Sequence, residues 1–490
     1  MQFTREVNRI MLGLLIAFSI ILISAAYWAI IGPETILLRE DNPRRVLAER
    51  SLLRGTIFDR NENLLAYTEL NDNNIAVRYY PDPSVASTLG YYSYRYGSDG
   101  IEAAYDAILT GSERVRDLAT TLLDQWLHRP QVGNDIRITL DQQIQAALAS
   151  AMNGQDGAAI IIRVSDGGIL GVVSNPTFDP NTLDANWEML IEDSRNPFFN
   201  RALRGRYQPG SALQTPLMAT ALLLNEPLEN PIEGATHPIE VNGLELQCVV
   251  PLPDIPLTLR EAYAFACPNA FAQFVQRLEP ATLEAAFNTF RLTESPNILP
   301  PRTVTGSVQA TLTPEVEATE VVVEDEAEIA LATALGQGML DVSPLTMAMM
   351  AAAIINDGNS PEPYFLMDTR LHTEATDTAQ AWVPQIAIRP SIPLMTTNSA
   401  RRLQDLLRDA VVNGAAQNAG RPELDIGGHV SIAYSGERTH VWFIGFVTLS
   451  TQEAVAIAIV LENSNDIGRV ADIGGDALQA AQQALTQSPS

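Results

Sequence analysis

The chain opens on an unbroken apolar run. Ile10 to Ile31 holds 22 residues without a charge, and as a helix rising about 1.5 Å per residue it spans a ~30 Å hydrocarbon layer. A cleaved signal peptide is the competing reading, since Ser24, Ala25 and Ala26 offer small residues for cleavage. The run continues through Tyr27, Trp28 and Ile31, which is too long for a typical secretory h-region. The pattern therefore predicts a short tail, residues 1–9, and an uncleaved spanning helix, residues 10–31.

Shorter patterns follow. Arg54 to Ala66 sets two apolar runs, Thr56-Ile57-Phe58 and Leu64-Leu65-Ala66, around the polar turn Asp59 to Asn63, and predicts a hairpin. Gly100 to Gly111 and Arg114 to Leu127 have helical spacing, and Ile136 to Met152 passes from a strand into an amphipathic helix. A boundary near Gly154 divides an extended region, residues 34–153, from a body, residues 154–490. In the body, Ala158 to Val164 and Ile169 to Ser174 are apolar strands joined by the tight turn Ser165-Asp166-Gly167-Gly168. After an α-rich middle come three β-rich runs, Val430 to Tyr434, Val441 to Val447 and Ala454 to Leu461, and an Ala/Gln-rich helix from Asp476 to Leu485. The order predicts an α/β (α+β) body, an antiparallel sheet covered by helices.

Composition narrows the possible chemistry. With 31 basic and 58 acidic residues the chain carries −27, a field that repels phosphate backbones and argues against nucleic-acid partners. All the basic residues are Arg, so any mechanism that needs a lysine amine is excluded. Thr303 to Glu328, acidic and rich in Thr and Val, reads as a solvated loop. Arg5 and Arg9 precede the apolar run while Arg39, Arg44, Arg45 and Arg50 follow it, a distribution that leans against export of the body. Long domains translocate regardless of that count. Cys248 and Cys267 stand 19 positions apart, neither a zinc spacing nor a redox CxxC, which leaves a disulfide or two inert thiols.

Several segments, in order, resemble the class B penicillin-binding proteins, membrane-anchored D,D-transpeptidases that cross-link peptidoglycan. Arg54 to Asn61 is similar to that family's RGxIxDRNG hairpin, with Glu62 where its glycine would stand. GIEAAYDAILTG (Gly100 to Gly111), LDQQIQAAL (Leu140 to Leu148) and SNPTFDPN (Ser174 to Asn181) follow. Asn200-Arg201-Ala202, Tyr207-Gln208-Pro209-Gly210-Ser211, GQGMLDVSPLTMA (Gly336 to Ala348) and WFIGF (Trp442 to Phe446) complete the set. The resemblance implies an extended N-terminal pedestal or dimerisation domain, a C-terminal transpeptidase-type domain, and no cofactor or metal.

Transpeptidase chemistry in that family rests on a serine, a lysine three residues on, an SxN element and a KTG strand. Here Ser211 is followed by Gln214, an amide that hydrogen-bonds but takes no proton at neutral pH. Laid without a gap from Thr258-Leu259-Arg260-Glu261-Ala262, the SxN element falls on Ala266-Cys267-Pro268; a one-residue shift to Cys267-Pro268-Asn269 keeps an asparagine. In the ungapped register Cys267 occupies a position where many relatives carry cysteine, which suits a bridge to Cys248. Counting back from WFIGF lays Gly428-His429-Val430-Ser431-Ile432-Ala433 on GKTGTA. His429 thus replaces the strand lysine, and backbone N–H groups of Ser211 and Ile432 remain available as an oxyanion hole. Ser211 after Pro-Gly also reads as an ordinary helix N-cap.

The leading expectation is a membrane-anchored family member that binds without catalysis, a scaffold or regulator in cell-wall synthesis or cell division. Its body lies outside the cytoplasm. The alternatives are an enzyme acylated at Ser211 with His429 as base, and a sensor using the old cleft for another envelope molecule. Implied partners are a polytopic membrane glycosyltransferase, met through anchor and pedestal, other cell-wall or division proteins, and peptidoglycan peptides.

Overall fold

The computed structural model describes residues 2–30, 52–73, 75–112, 132–294, 296, 298–299, 326–371, 381–385, 390–436, 438–449 and 453–487. The predicted helix from Arg114 to Leu127, nearly all of the acidic stretch from Thr303 to Glu328, and the arginines at 39, 44, 45 and 50 lie outside the described residues. The N-terminal helix runs Gln2–Ile30, and Val7–Ala25 within it is long and apolar enough to cross a membrane.

The body is built on a five-stranded antiparallel sheet in the order Asp425–Ser435, Arg438–Thr448, Ala454–Leu461, Gly157–Arg163, Ile169–Asn175. The three inner strands are apolar at nearly every position because both faces are covered. Trp442, Ile444 and Phe446 join Ala158, Ile160 and Ile162 in a core shared with helix Pro344–Ile355. Their alternating neighbours Val441, Phe443, Ile457 and Ile459 pack on the other face with residues of helices Ile467–Gln487 and Gln142–Ala151. The C-terminal helix begins nine residues before the predicted Asp476, on the far side of a Gly-Gly pair. A Cβ on Gly474 would lie 2.2 Å from the Phe443 ring, so glycine there lets helix and sheet approach closely. Strand Asp425–Ser435 likewise extends beyond the predicted Val430 to Tyr434, through Gly427 and Gly428, where any side chain would strike Phe446 and Phe443.

A second, mixed sheet carries the N-terminal region in the order Val383–Pro384, Leu366–Arg370, Asp135–Ile138, Ile57–Phe58, Leu64–Leu70, Ala76–Tyr79. The predicted hairpin forms because buried Asp59 accepts the N–H groups of Asn61 and Asn63, both at 2.8 Å. Glu62, at the glycine position of the motif, takes a left-handed φ of 65°. Beneath the hairpin, fully buried Glu102 accepts from Arg54 at 2.6 Å, Arg78 at 2.8 Å and Tyr80 at 3.1 Å. Burial pushes the Glu102 carboxyl up, but the Arg78 and Arg54 guanidiniums outweigh it and hold the group below its ordinary range. This sheet does not respect a boundary near Gly154. Leu366–Arg370, from well inside the body, pairs antiparallel with Asp135–Ile138, while helix Gln142–Ala151, before the boundary, packs into the body's core.

Candidate active site

Three backbone segments stack tightly at the open edge of the body's sheet. Gly210 has φ +54°, and a Cβ on it would lie 2.0 Å from the Ile432 carbonyl; one on Gly336, at φ +71°, would lie 2.2 Å from the Gly210 carbonyl. Only glycine permits this stacking. It delivers the chain into a 3₁₀ turn, Gly210–Leu213, that runs directly into helix Gln214–Leu223. Surrounding side chains hold the approach: Trp442 Nε1 donates to the Gln208 carbonyl at 3.0 Å, Gln208 Nε2 donates to Gly338 O at 2.8 Å, and the Tyr207 hydroxyl donates to Glu462 at 2.7 Å.

Ser211 sits inside the 3₁₀ turn, and the N-cap reading fails there. Neither helical segment is capped by a side chain, and the Ser211 hydroxyl is aimed instead at Ser431 Oγ, 3.4 Å away. Ser431, fully buried, donates to the Pro209 carbonyl at 2.8 Å and accepts from the Ala212 N–H at 2.9 Å. It ties the edge strand to the turn that carries Ser211.

Gln214 lies one turn further on and is 2% exposed. Among the described residues neither its Oε1 nor its Nε2 has a hydrogen-bond partner. His429 is buried beside Tyr263, with ring centroids 4.5 Å apart and Nε2 3.0 Å from the Tyr263 carbonyl. A carbonyl only accepts, so Nε2 carries the proton. Burial drives the imidazole down to about 4, leaving it neutral at physiological pH. Among the described residues no hydrogen bond joins His429 to Ser211, so the geometry does not assemble the Ser–His dyad.

The residues expected along the cleft divide. A cleft of about 420 Å³ is lined by Ser211, Gln214, Pro268 and Ile432, all of them anticipated, and by Cys248, expected only as a disulfide partner. Cys267 and Ser431, expected along the cleft, are fully buried and do not line it. Pro268 is the third residue of the ungapped SxN register. Asn269, which the shifted register needs, turns away, donating to His237 O at 3.1 Å and accepting from Gln273 at 3.2 Å. Ala266, at φ 50°, shapes the turn into helix Pro268–Val275 and does not line the cleft. Val430 is displaced too. Strand alternation sends it to the face opposite Ser431, into the core beneath the C-terminal helix, which Ile432 only partly joins. A disulfide joins Cys248 to Cys267 and fastens the wall formed by Leu246 to Leu252 to the start of that helix.

Sequence reasoning missed Thr236, Pro238, Leu335, Gln337, Tyr434 and most of the 246–252 wall. A signal existed for Gln337, the middle residue of the Gly336-Gln337-Gly338 motif, whose Oε1 accepts from the Tyr434 N–H at 3.3 Å. The wall has no periodicity to find.

Comparison with known families decides the affiliation. The penicillin binding protein transpeptidase domain model matches residues 157–482, and the penicillin binding protein A dimerisation domain model matches residues 54–136. The chain belongs to the penicillin-binding protein transpeptidase family. Among curated relatives, peptidoglycan D,D-transpeptidase PbpA of Mycobacterium tuberculosis is 28% identical over 96% of each chain, and its Mycolicibacterium smegmatis counterpart is equally similar. Among solved structures, penicillin-binding protein A from M. tuberculosis as an imipenem acyl-enzyme complex superposes with TM-score 0.72 at 29% identity, covering 89% of this chain and 99% of that one. This family member therefore has the mixed α/β transpeptidase fold, an N-terminal dimerisation-type region and one apolar helix ahead of them.

Proposed function

We propose that this penicillin-binding protein homologue is a membrane-anchored component of peptidoglycan synthesis or cell division that binds through its cleft and is not acylated at Ser211. One observation carries the reading. The chain has no lysine, and the residue three after Ser211 is Gln214, whose buried amide makes no hydrogen bond to the serine. A serine hydroxyl without a proton acceptor is a poor nucleophile, and removing a general base typically forfeits about 10²- to 10⁴-fold in rate. His429 supplies no substitute: the Ser211 hydroxyl is directed at Ser431 Oγ, and among the described residues no hydrogen bond joins it to the imidazole. Ser431 fills the space beside the nucleophile position with a side chain.

The anchor is helix Gln2–Ile30, and the body, residues 154–490, lies outside the cytoplasm, where the substrates of D,D-transpeptidases are found. The region 34–153 is the pedestal. Through it and the anchor the protein meets a polytopic membrane glycosyltransferase or other cell-wall and division proteins, for which it acts as scaffold or regulator. Supporting this, the named relatives are peptidoglycan D,D-transpeptidases, and the dimerisation-type region is preserved.

The test is labelling of the full chain by a fluorescent penicillin, wild type against Ser211→Ala. The reading expects no rapid labelling in either. Rapid stoichiometric labelling of wild type, lost in Ser211→Ala, would overturn it, and loss in His429→Ala as well would establish the dyad.

A further inference from the structure

We propose that the cleft beside Ser211 selects an uncharged amide, a carboxamide or peptide amide, over a carboxylate. The inference rests on the reading that the cleft binds without acylation, and it names the chemistry bound.

The first observation is the state of Gln214. Its side chain is 2% exposed, lines the cleft, and leaves both a carbonyl oxygen and an NH₂ group without a protein partner among the described residues. Exchanging the two atoms changes nothing, because both are unpaired. A second buried polar atom of the lining, Thr236 Oγ1, is also without a partner there. Buried polar groups are paired in nearly all native structures, and the exceptions call for an explanation. Here an acceptor and a donor sit side by side, and the group that answers both is another amide.

The second observation is the charge of the lining. None of the described residues that form it is ionisable with a cationic state: it holds no arginine and no histidine, and the chain has no lysine. The neighbouring His429 is neutral and engaged with Tyr263. A carboxylate entering this cleft would be stripped of water with no cation to meet it, and one of its oxygens would face the Gln214 carbonyl. A carboxamide of the same shape presents an N–H to that carbonyl and its own oxygen to the Gln214 NH₂. The rest of the wall mixes apolar groups, Leu246, Val249, Pro268 and Leu335 among them, with the polar Gln247, Gln337 and Tyr434, and suits a neutral ligand.

A cleft of about 420 Å³ also admits water, so the experiment must separate a ligand from solvent. The full chain in detergent micelles is titrated by calorimetry with N-acetyl-D-alanyl-D-alanine and with its C-terminal carboxamide. The carboxamide is expected to bind at least about tenfold more tightly, the discrimination that one mispaired buried polar group brings. Gln214→Met, similar in length but without the amide, should abolish the preference while the melting transition stays cooperative. Thr236→Val supplies a second variant, expected to weaken the carboxamide and leave the carboxylate unchanged. Equal or tighter binding of the carboxylate, a preference that survives Gln214→Met, or no binding of either peptide at millimolar concentration would each overturn the proposal. Repeating both titrations on Ser211→Ala, which cannot be acylated there, reads the preference even if penicillin labelling were to refute the non-acylating function.

Discussion

Removing the hydroxyl of Ser431 tests whether this residue latches the sheet edge to the turn of Ser211. The hydroxyl bonds two backbone groups of that turn, the Pro209 carbonyl at 2.8 Å and the Ala212 N–H at 2.9 Å, and it is inaccessible to solvent. Those two groups also reach each other at 3.1 Å across the 3₁₀ turn, so neither is wholly orphaned in the variant. The loss is then that of two ordinary hydrogen bonds, about 1–3 kcal/mol for Ser431→Ala. Ser431→Gly adds the backbone freedom of glycine in a strand, roughly 0.5–1 kcal/mol more. Urea unfolding followed by tryptophan fluorescence reads both, with Trp442 hydrogen-bonded to the same turn as a local reporter. The midpoint should fall with the slope unchanged, and glycine should cost more than alanine. A shift below about 0.5 kcal/mol in both variants would refute the latch, whereas rapid penicillin labelling of Ser431→Gly would refute the non-acylating reading of Ser211. With Gln214 still in place, the opened space provides no base.

Lowered in the fold from 6.5 to about 4, His429 makes the folded state refuse a proton that the unfolded chain accepts below pH 6.5. Its contribution is therefore intact above pH 6.5 and lost as pH falls toward 4, about 2 kcal/mol of it by pH 5. Unfolding midpoints of wild type against His429→Gln, whose amide still donates to Tyr263, should show the flatter profile in the variant. Glu102→Gln leaves Arg78 and part of Arg54 without a counter-charge in a buried site and should destabilise the N-terminal sheet by about 3–5 kcal/mol, read as an earlier thermal transition. Replacing Cys248 and Cys267 by alanine opens a loop with a sequence separation of 19 and should cost about 3 kcal/mol. Reductant should lower the melting temperature of wild type by a matching amount and leave the double variant unmoved.

The parts legible in the sequence are those whose pattern has a local cause. The sheet strands were visible because covering both faces forces continuous apolar runs. The hairpin after residue 54 was visible because Asp59 sits where its carboxylate ties the turn together. What was not legible depends on contacts between distant segments. The strand Leu366–Arg370 is unremarkable alone and becomes part of the N-terminal sheet only by pairing with Asp135–Ile138. Val430 and Asn269 could be aligned with motif positions, but which way a side chain faces is set by strand phase and helix start, and one residue of phase reverses it. The cleft wall at 246–252 is held by a disulfide and not by periodicity, so no local signal marked it.

The elements this chain keeps and those it lacks answer to different physical requirements. Gly210, Gly336, Tyr207, Gln208 and Trp442 work through backbone shape and fixed hydrogen bonds, and the fold needs them whether or not any bond is ever broken. Proton transfer requires a group that titrates near the working pH, and the positions expected to supply one hold an amide and an imidazole silenced by burial. Selection for catalysis would favour a partly solvated, tunable base beside Ser211. Instead the structure has Ser431 bonded to the turn, Gln214 without a partner among the described residues at the cleft, and His429 stacked on Tyr263. The first and third fix the architecture, which leaves Gln214, with Thr236, as lining polar groups whose side chains have no protein partner among the described residues. A protein that only had to keep its shape would gain stability by replacing that amide with methionine or leucine. The amide's presence in a buried, uncharged cleft is the strongest structural argument that this site still recognises a ligand.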